Sequence, residues 1–327
     1  MGFAKGLGAT ALALALFACG GDDSGPPRTG DGGNGGGGGG TPTPSPTPTP
    51  VSYTKFADLT GTQTFSTTCA GQQFDGGSSF LVGGTPFGEG ATIVSDRSGP
   101  SYDITSDGTG LPPFSVSFTQ ADRDTSRSFE SYNRVSANNF TERFVTFPPA
   151  VNSVELEYTR FGQVIAETSG GFVNLFCAYG VPTELSDVPA TTKSYSQSRF
   201  YGTVTIIENA GSGPASSYSI SSSTATASAN PTTGEVRITM DLKGRLNTPS
   251  GPSTVVTDLG TFTGVDTIDG TVQRFGGTLV DQRNFVSGTF GGWFFGPQGG
   301  TLASSFTINS RRDDDSDLVV SAVVFLR

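Results

Sequence analysis

Between Glu235 and Lys243 the chain alternates with a period of two. Val236, Ile238, Met240 and Leu242 fall on one side, and Glu235, Arg237, Thr239, Asp241 and Lys243 on the other. Successive side chains of a strand point to opposite faces, so this is a strand with one dry face and one wet face. Further β-rich runs lie near 194–208, 216–229, 253–264, 271–280, 284–295, 300–309 and 317–326. Turn-forming stretches separate them: NAGSGP, NPTTG, NTPSGPS, VDTIDG, DQR, GPQGG and SRRDDDSD. Eight such runs predict an antiparallel barrel or sandwich, and eight strands close into a small barrel filled by its own side chains. The wet face of 235–243 argues against a membrane barrel, because a basic residue facing lipid at mid-bilayer costs about 2–4 kcal/mol. The last run, DLVVSAVVFLR, is apolar on both faces. Its outer side is therefore expected to be covered by the part of the chain that precedes the barrel.

Residues 52–186 carry weaker patterns. SSFLVGG, ATIVSD, FSVSFTQ and SVELEYTRFG read as strands, and no stretch reads as a helix. Gly, Ser and Thr are abundant, while charged residues make up only 15% of the chain. Few strong helix formers and many β-branched and aromatic residues give an all-β protein. The predicted organisation is a leader over 1–18, a linker over 19–51, a β-rich domain over 52–186 and a soluble eight-stranded barrel over 187–327.

The leader and linker have their own logic. Leu7 to Ala18 is an uncharged, mostly apolar run preceded by Lys5. It is shorter than the roughly 20 residues a spanning helix needs, and it has the layout of a secretory signal peptide. Leu16-Phe17-Ala18-Cys19 resembles the bacterial lipobox, which implies acylation of Cys19 and cleavage before it. The alternative is an ordinary signal with an incidental cysteine. Two or three acyl chains would hold the protein to a bilayer without a transmembrane helix, each buried methylene contributing about 0.8 kcal/mol. Gly20, in place of Asp, favours the outer membrane. The glycine-rich stretch after Cys19 has almost nothing apolar to bury, so ordering it would cost entropy without return. TPTPSPTPTP then favours polyproline II, a semi-rigid spacer of roughly 30 Å.

Charge and residue counts exclude several functions. Net charge is −10, which argues against a nucleic-acid partner. There is no histidine, which removes Ser-His-Asp catalysis, the usual zinc sites and His-ligated haem. No carboxylate pair is set up by a motif, so neither an enzyme activity nor a metal or other cofactor is expected. Setting Cys19 aside, Cys69 and Cys177 remain in an oxidising compartment, which reads as one disulfide. Two buried free thiols are the other reading.

One stretch is dense in arginine and aromatics in an otherwise charge-poor chain: TQADRDTSRSFESYNRV, at 119–135. Arg123, Arg127, Phe129, Tyr132 and Arg134 are candidate binding residues, since Arg and aromatics are enriched at binding hot spots. A solvated surface loop is the competing reading. RRDDDSD, at 311–317, lacks the glycine and the distal Glu of a calcium loop and reads as a charged hairpin tip.

The segment GTFGGWFFGPQGGTLASSF, at 288–306, resembles the signature of the transferrin-binding protein B barrel, with Trp293-Phe294-Phe295-Gly296-Pro297 and Phe306 at the matching spacing. Thr301 stands where Glu is usual, and Ala303-Ser304 replaces a glycine pair. FCAYGVPTELSDVPATTKSYS, at 176–196, is similar to the lead-in to that barrel. The resemblance implies one lobe made of a β-rich handle and a barrel, carried by an acylated cysteine. It also implies a surface lipoprotein that captures an iron carrier, haem or a protein ligand. A TonB-dependent receptor and a surface lipoprotein assembly modulator would be its partners. A structural or adhesive envelope protein is the alternative, and an envelope hydrolase a third. The aromatics of the signature read as barrel packing rather than as a ligand box.

Acylation has a direct check. Cys19→Ser is expected to shift the protein from the detergent phase to the aqueous phase, or to leave the leader uncut. A leaderless mutant that still partitions into detergent would disprove the anchor.

Overall fold

The computed structural model describes residues 51–327 apart from 212, 221, 269 and 284. The leader, Cys19 and nearly all of the linker lie outside the described residues. Apart from one helical turn at Glu208–Gly211 and short 3-10 turns, the regular structure is strand.

The barrel is an up-and-down meander. Lys193–Tyr195 and Ser198–Ile207 pair with Ala215–Ser219 and Thr224–Ala229, which pair in turn with Glu235–Thr248. Thr257–Thr267, Phe275–Asp281, Val286–Phe295, Thr301–Arg311 and Asp317–Leu326 follow in chain order, each antiparallel to the one before. Asp317–Leu326 then pairs with Ser198–Ile207 and closes the ring. The expected run at 216–229 is interrupted at 220–223. There the Ser223 hydroxyl accepts from Lys243 N–H at 2.9 Å and donates to Lys243 C=O at 3.0 Å, replacing the missing ladder bonds.

Inward and outward faces follow the alternation. Val236, Ile238, Met240 and Leu242 are buried, whereas Arg237 is exposed. Phe290, Phe294 and Phe306 fill the interior with Phe200 and Phe275.

The handle is a nine-stranded sheet built around Thr62–Asp75 and Gly171–Gly180, which are neighbours. On one side follow Thr92–Asp96, Ser101–Ser106 and Phe114–Phe118; on the other, Thr159–Glu167, Thr141–Phe147 and Glu130–Val135. Ser78–Gly83 adds to the end of Thr62–Asp75. The sheet curls until its two edge strands approach each other around Tyr102, Phe118, Tyr132 and Phe144. Two expectations need correction. SVELEYTRFG is not one strand: Asn152 and Ser153, both at positive φ, turn a two-residue hairpin, and the long strand begins only at Thr159. The second half of the 119–135 segment is not a loop, because Glu130–Val135 forms the outermost strand.

Handle and barrel are pressed together. Asp317–Leu326 packs its outer face on Thr62–Asp75 and Gly171–Gly180, so the doubly apolar last strand is covered as expected. Gly291 sits at the point of closest contact. A Cβ there would run into the Thr85 carbonyl, so glycine is what lets the handle backbone lie on the barrel strand. Trp293 faces the same way and donates from Nε1 to Thr183 C=O at 2.8 Å. The signature aromatics are therefore buried on both faces of one strand.

Cys69 and Cys177 stand directly opposite each other in the central pair and are bonded. Both are fully buried, and they join chain positions 108 residues apart. A link over a loop of that length contributes about 4–5 kcal/mol in the chain-entropy model. A Cys69→Ala, Cys177→Ala double variant is expected to melt on the order of 10 °C lower by calorimetry. A change under about 2 °C would mean that strand pairing alone holds the handle.

Candidate functional site

The five candidate residues of 119–135 separate into two groups. A capping box opens the segment: the Asp122 carboxylate accepts from Thr119 N–H at 2.7 Å and from the Thr119 hydroxyl at 2.9 Å. Asp124 N–H then donates to Ser131 C=O at 2.7 Å, which folds the arginine-bearing loop back on its own strand. In that strand Tyr132 points inward and is fully buried. Arg134 clamps the curl of the handle. Its Nε lies 2.9 Å from Glu142 Oε2, and its Nη1 donates to Ser117 C=O on the opposite edge at 2.8 Å. Tyr132 and Arg134 thus hold the sheet, and neither lines the cleft next to them.

Arg123, Arg127 and Phe129 come together at the mouth of a cleft of about 430 Å³, with Glu130, Thr146, Phe147, Pro148 and Arg160. The Phe129 and Phe147 ring centroids are 5.8 Å apart and form one wall. Glu130 Oε2 accepts from the Tyr102 hydroxyl at 2.6 Å and from the Tyr132 hydroxyl at 3.3 Å. Burial pushes the Tyr132 phenol up to about 12 and the Tyr102 phenol well above its ordinary value, so both remain donors at neutral pH. Arg127 sits 3.5 Å from Asp124 at the exposed edge. Arg160 lies deeper. Its guanidinium is 4.6 Å from the Phe56 ring centroid, and its Nε is buried without a hydrogen-bond partner. No local pattern marked Arg160, which sits in a stretch read as an ordinary strand. Only the folding of Thr159–Glu167 beside Thr141–Phe147 brings it to the cleft.

A second concavity, about 370 Å³, opens at one end of the barrel. Leu259, Phe262 and Leu318 form its floor, and ion pairs ring its mouth. Arg283 joins Asp281 at 2.7 Å and Asp313 at 3.0 Å; Arg311 joins Asp315 and Asp317 at 2.8 and 2.7 Å. Hydrogen bonds to the Ser316 hydroxyl and N–H hold the Asp314 carboxyl below its usual range, so it is ionised at neutral pH. RRDDDSD is a self-paired hairpin tip. No cluster of three metal-ligating side chains occurs among the described residues.

No protein-family model and no curated protein matches the chain. Solved structures do. Transferrin-binding protein B from Haemophilus parasuis Hp5, a double mutant, is similar over 79% of this chain, with 15% identity and a TM-score of 0.36. The isotype 1 protein from serogroup B Neisseria meningitidis is similar over 76%, with 13% identity and a TM-score of 0.34. HpuA from Kingella denitrificans, in complex with human haemoglobin, is similar over 85%, with 13% identity and a TM-score of 0.32. This chain spans 62% and 59% of the length of the first two and 91% of HpuA.

The division of the arginines can be measured. Glu142 is 3% exposed, so Arg134→Ala leaves a buried carboxylate unpaired. It is expected to cost about 3 kcal/mol in urea unfolding. Arg123→Ala, on the exposed loop of the same segment, is expected to stay within about 0.5 kcal/mol. Equal costs would mean that Arg134 is not a clamp.

Proposed function

We propose that the chain is a lipid-anchored capture protein of the bacterial outer membrane, facing outward and without enzymatic activity. In this reading the far rim of its barrel docks a protein ligand that carries iron or haem.

The observation that carries the reading is the separation of two ends. In an up-and-down barrel alternate turns share an end. The turns after Ile207, Thr248, Asp281 and Arg311 lie together, and those after Ala229, Thr267 and Phe295 lie at the other end. The described chain begins near this second end. Tyr53 OH accepts from Glu184 N–H at 3.0 Å, and next to Glu184 the Thr183 hydroxyl donates to Gly296 C=O at 2.6 Å. The first end is therefore the one away from this contact. Leu246, Val255, Val256, Phe285 and Val286 lie there, five of the ten exposed large apolar side chains among the described residues. Apolar tips set among fixed charges are the composition of a protein-docking surface, with a dry centre and a polar rim. The ion pairs of Arg283 and Arg311 hold these turns before any ligand arrives, which lowers the ordering cost of binding.

The ligand class follows from the resemblance at 288–306. Export by a surface lipoprotein assembly modulator and hand-over to a TonB-dependent receptor belong to the same reading. The long linker fits it, because a body held some tens of ångströms from lipid clears a polysaccharide layer.

Photo-crosslinking in intact cells tests the proposal. Crosslinkers replacing Val255 or Phe285 are expected to capture a protein partner added outside, and one replacing Val265, on a strand, is not. Protease added to the same cells is expected to cut within 30–51 and release the body. Capture at all three positions or at none, or a body protected until the outer membrane is opened, would sink the reading.

A further inference from the structure

At the barrel mouth Arg283, Arg311 and Arg312 each hold an aspartate. The handle cleft differs. Arg123 and Arg160 line the same space, and neither forms an ion pair among the described residues. Arg160 Nε is buried and unpartnered. The rest of Arg160 is partly exposed to the cleft, so an anion there would give its guanidinium an acceptor. The lining contains one carboxylate, Glu130, and two phenols already donate to its Oε2. Arg127 adds positive charge at the edge, shared with Asp124. In a chain of net charge −10, an arginine-lined concavity is not a by-product of general basicity.

Besides Ser128 and Thr146, the rest of the lining is apolar: Phe129, Phe147 and Pro148. A volume of about 430 Å³ falls within the range of small-molecule sites and exceeds what a bare inorganic anion would fill. The Phe56 ring lies 4.6 Å from the Arg160 guanidinium, and a guanidinium fork matches a carboxylate or phosphate in two-point contact.

We propose that the handle cleft binds a small organic anion. Arg123 and Arg160 hold its carboxylate or phosphate, and a flat apolar body rests on Phe129 and Phe147. The site lies in the handle and is independent of the docking proposed for the barrel rim.

The test uses the full chain in detergent, with 1-naphthoate as the probe and titrations corrected for partition into micelles. Calorimetry is expected to show one saturable site per chain. Arg123→Gln and Arg160→Gln are each expected to weaken it by about tenfold or more. Arg237→Gln, on the barrel, and Phe285→Asp, on the rim, are expected to leave it unchanged. Inorganic phosphate is expected to compete. If Arg160→Gln does not fold, Arg123→Gln decides, because Arg123 is exposed on a loop. Absence of saturable binding, unchanged affinity in Arg123→Gln, or equal affinity for uncharged methyl 1-naphthoate would overturn the proposal.

Discussion

The structure depends on a close approach of two backbones. The handle loop carrying Gly84, Thr85 and Pro86 lies on the barrel strand Val286–Phe295 at Gly291, where no side chain fits. Polar groups buried by this contact satisfy one another. The Thr68 hydroxyl lies 2.6 Å from Thr85 C=O, 3.0 Å from Gly291 C=O and 2.6 Å from the Ser305 hydroxyl. Burying such groups unpaired would cost about 1–3 kcal/mol each. With them paired, Trp293, Phe295 and the outer face of the last strand can be covered by the handle. The barrel therefore has an inner core and an outer one, and the handle is part of how it stays dry.

This explains why the barrel was more legible in the sequence than the handle. Barrel strands follow one another, so each run pairs with its neighbour and the turns mark every border. The breaks at Ser196–Gln197 and at 220–223 shift hydrogen bonds to Arg327 C=O and to Ser223 without changing the strand order. In the handle, the central pair joins chain positions about a hundred residues apart, held by a disulfide of separation 108. No local pattern encodes such a pairing. Cysteine counting reached it because two thiols in an oxidising compartment point to each other whatever lies between them.

The arginine-rich segment shows the other limit. Its composition marked a place, but not what each residue does there. Tyr132 and Arg134 alternate into the curled interior, where one becomes core and the other a clamp across the sheet edges. Arg123, Arg127 and Phe129 precede the strand and remain at the cleft. The change of role comes where loop becomes strand, at Glu130. Arg160 enters from another strand, as cleft residues generally do.

Arg160 also links the cleft to the point where the linker meets the body. Phe56 is nearly fully buried, stacks on Phe65 at 5.1 Å, and carries both the Arg97 and the Arg160 guanidiniums within 5.0 Å of its ring centroid. Lys55 beside it pairs with Glu157 at 2.7 Å, and Phe56 N–H donates to Glu157 C=O. The exposed ion pair adds little by itself. The ring does more, since it seats the start of the described chain in the handle core and gives two partly exposed guanidiniums an aromatic face. The residue that seats the start of the described chain thus also lies against the cleft's deepest arginine. Loss of that ring would loosen both, and for one physical reason: the start of the described chain would lose its core anchor and the Arg160 guanidinium its π face.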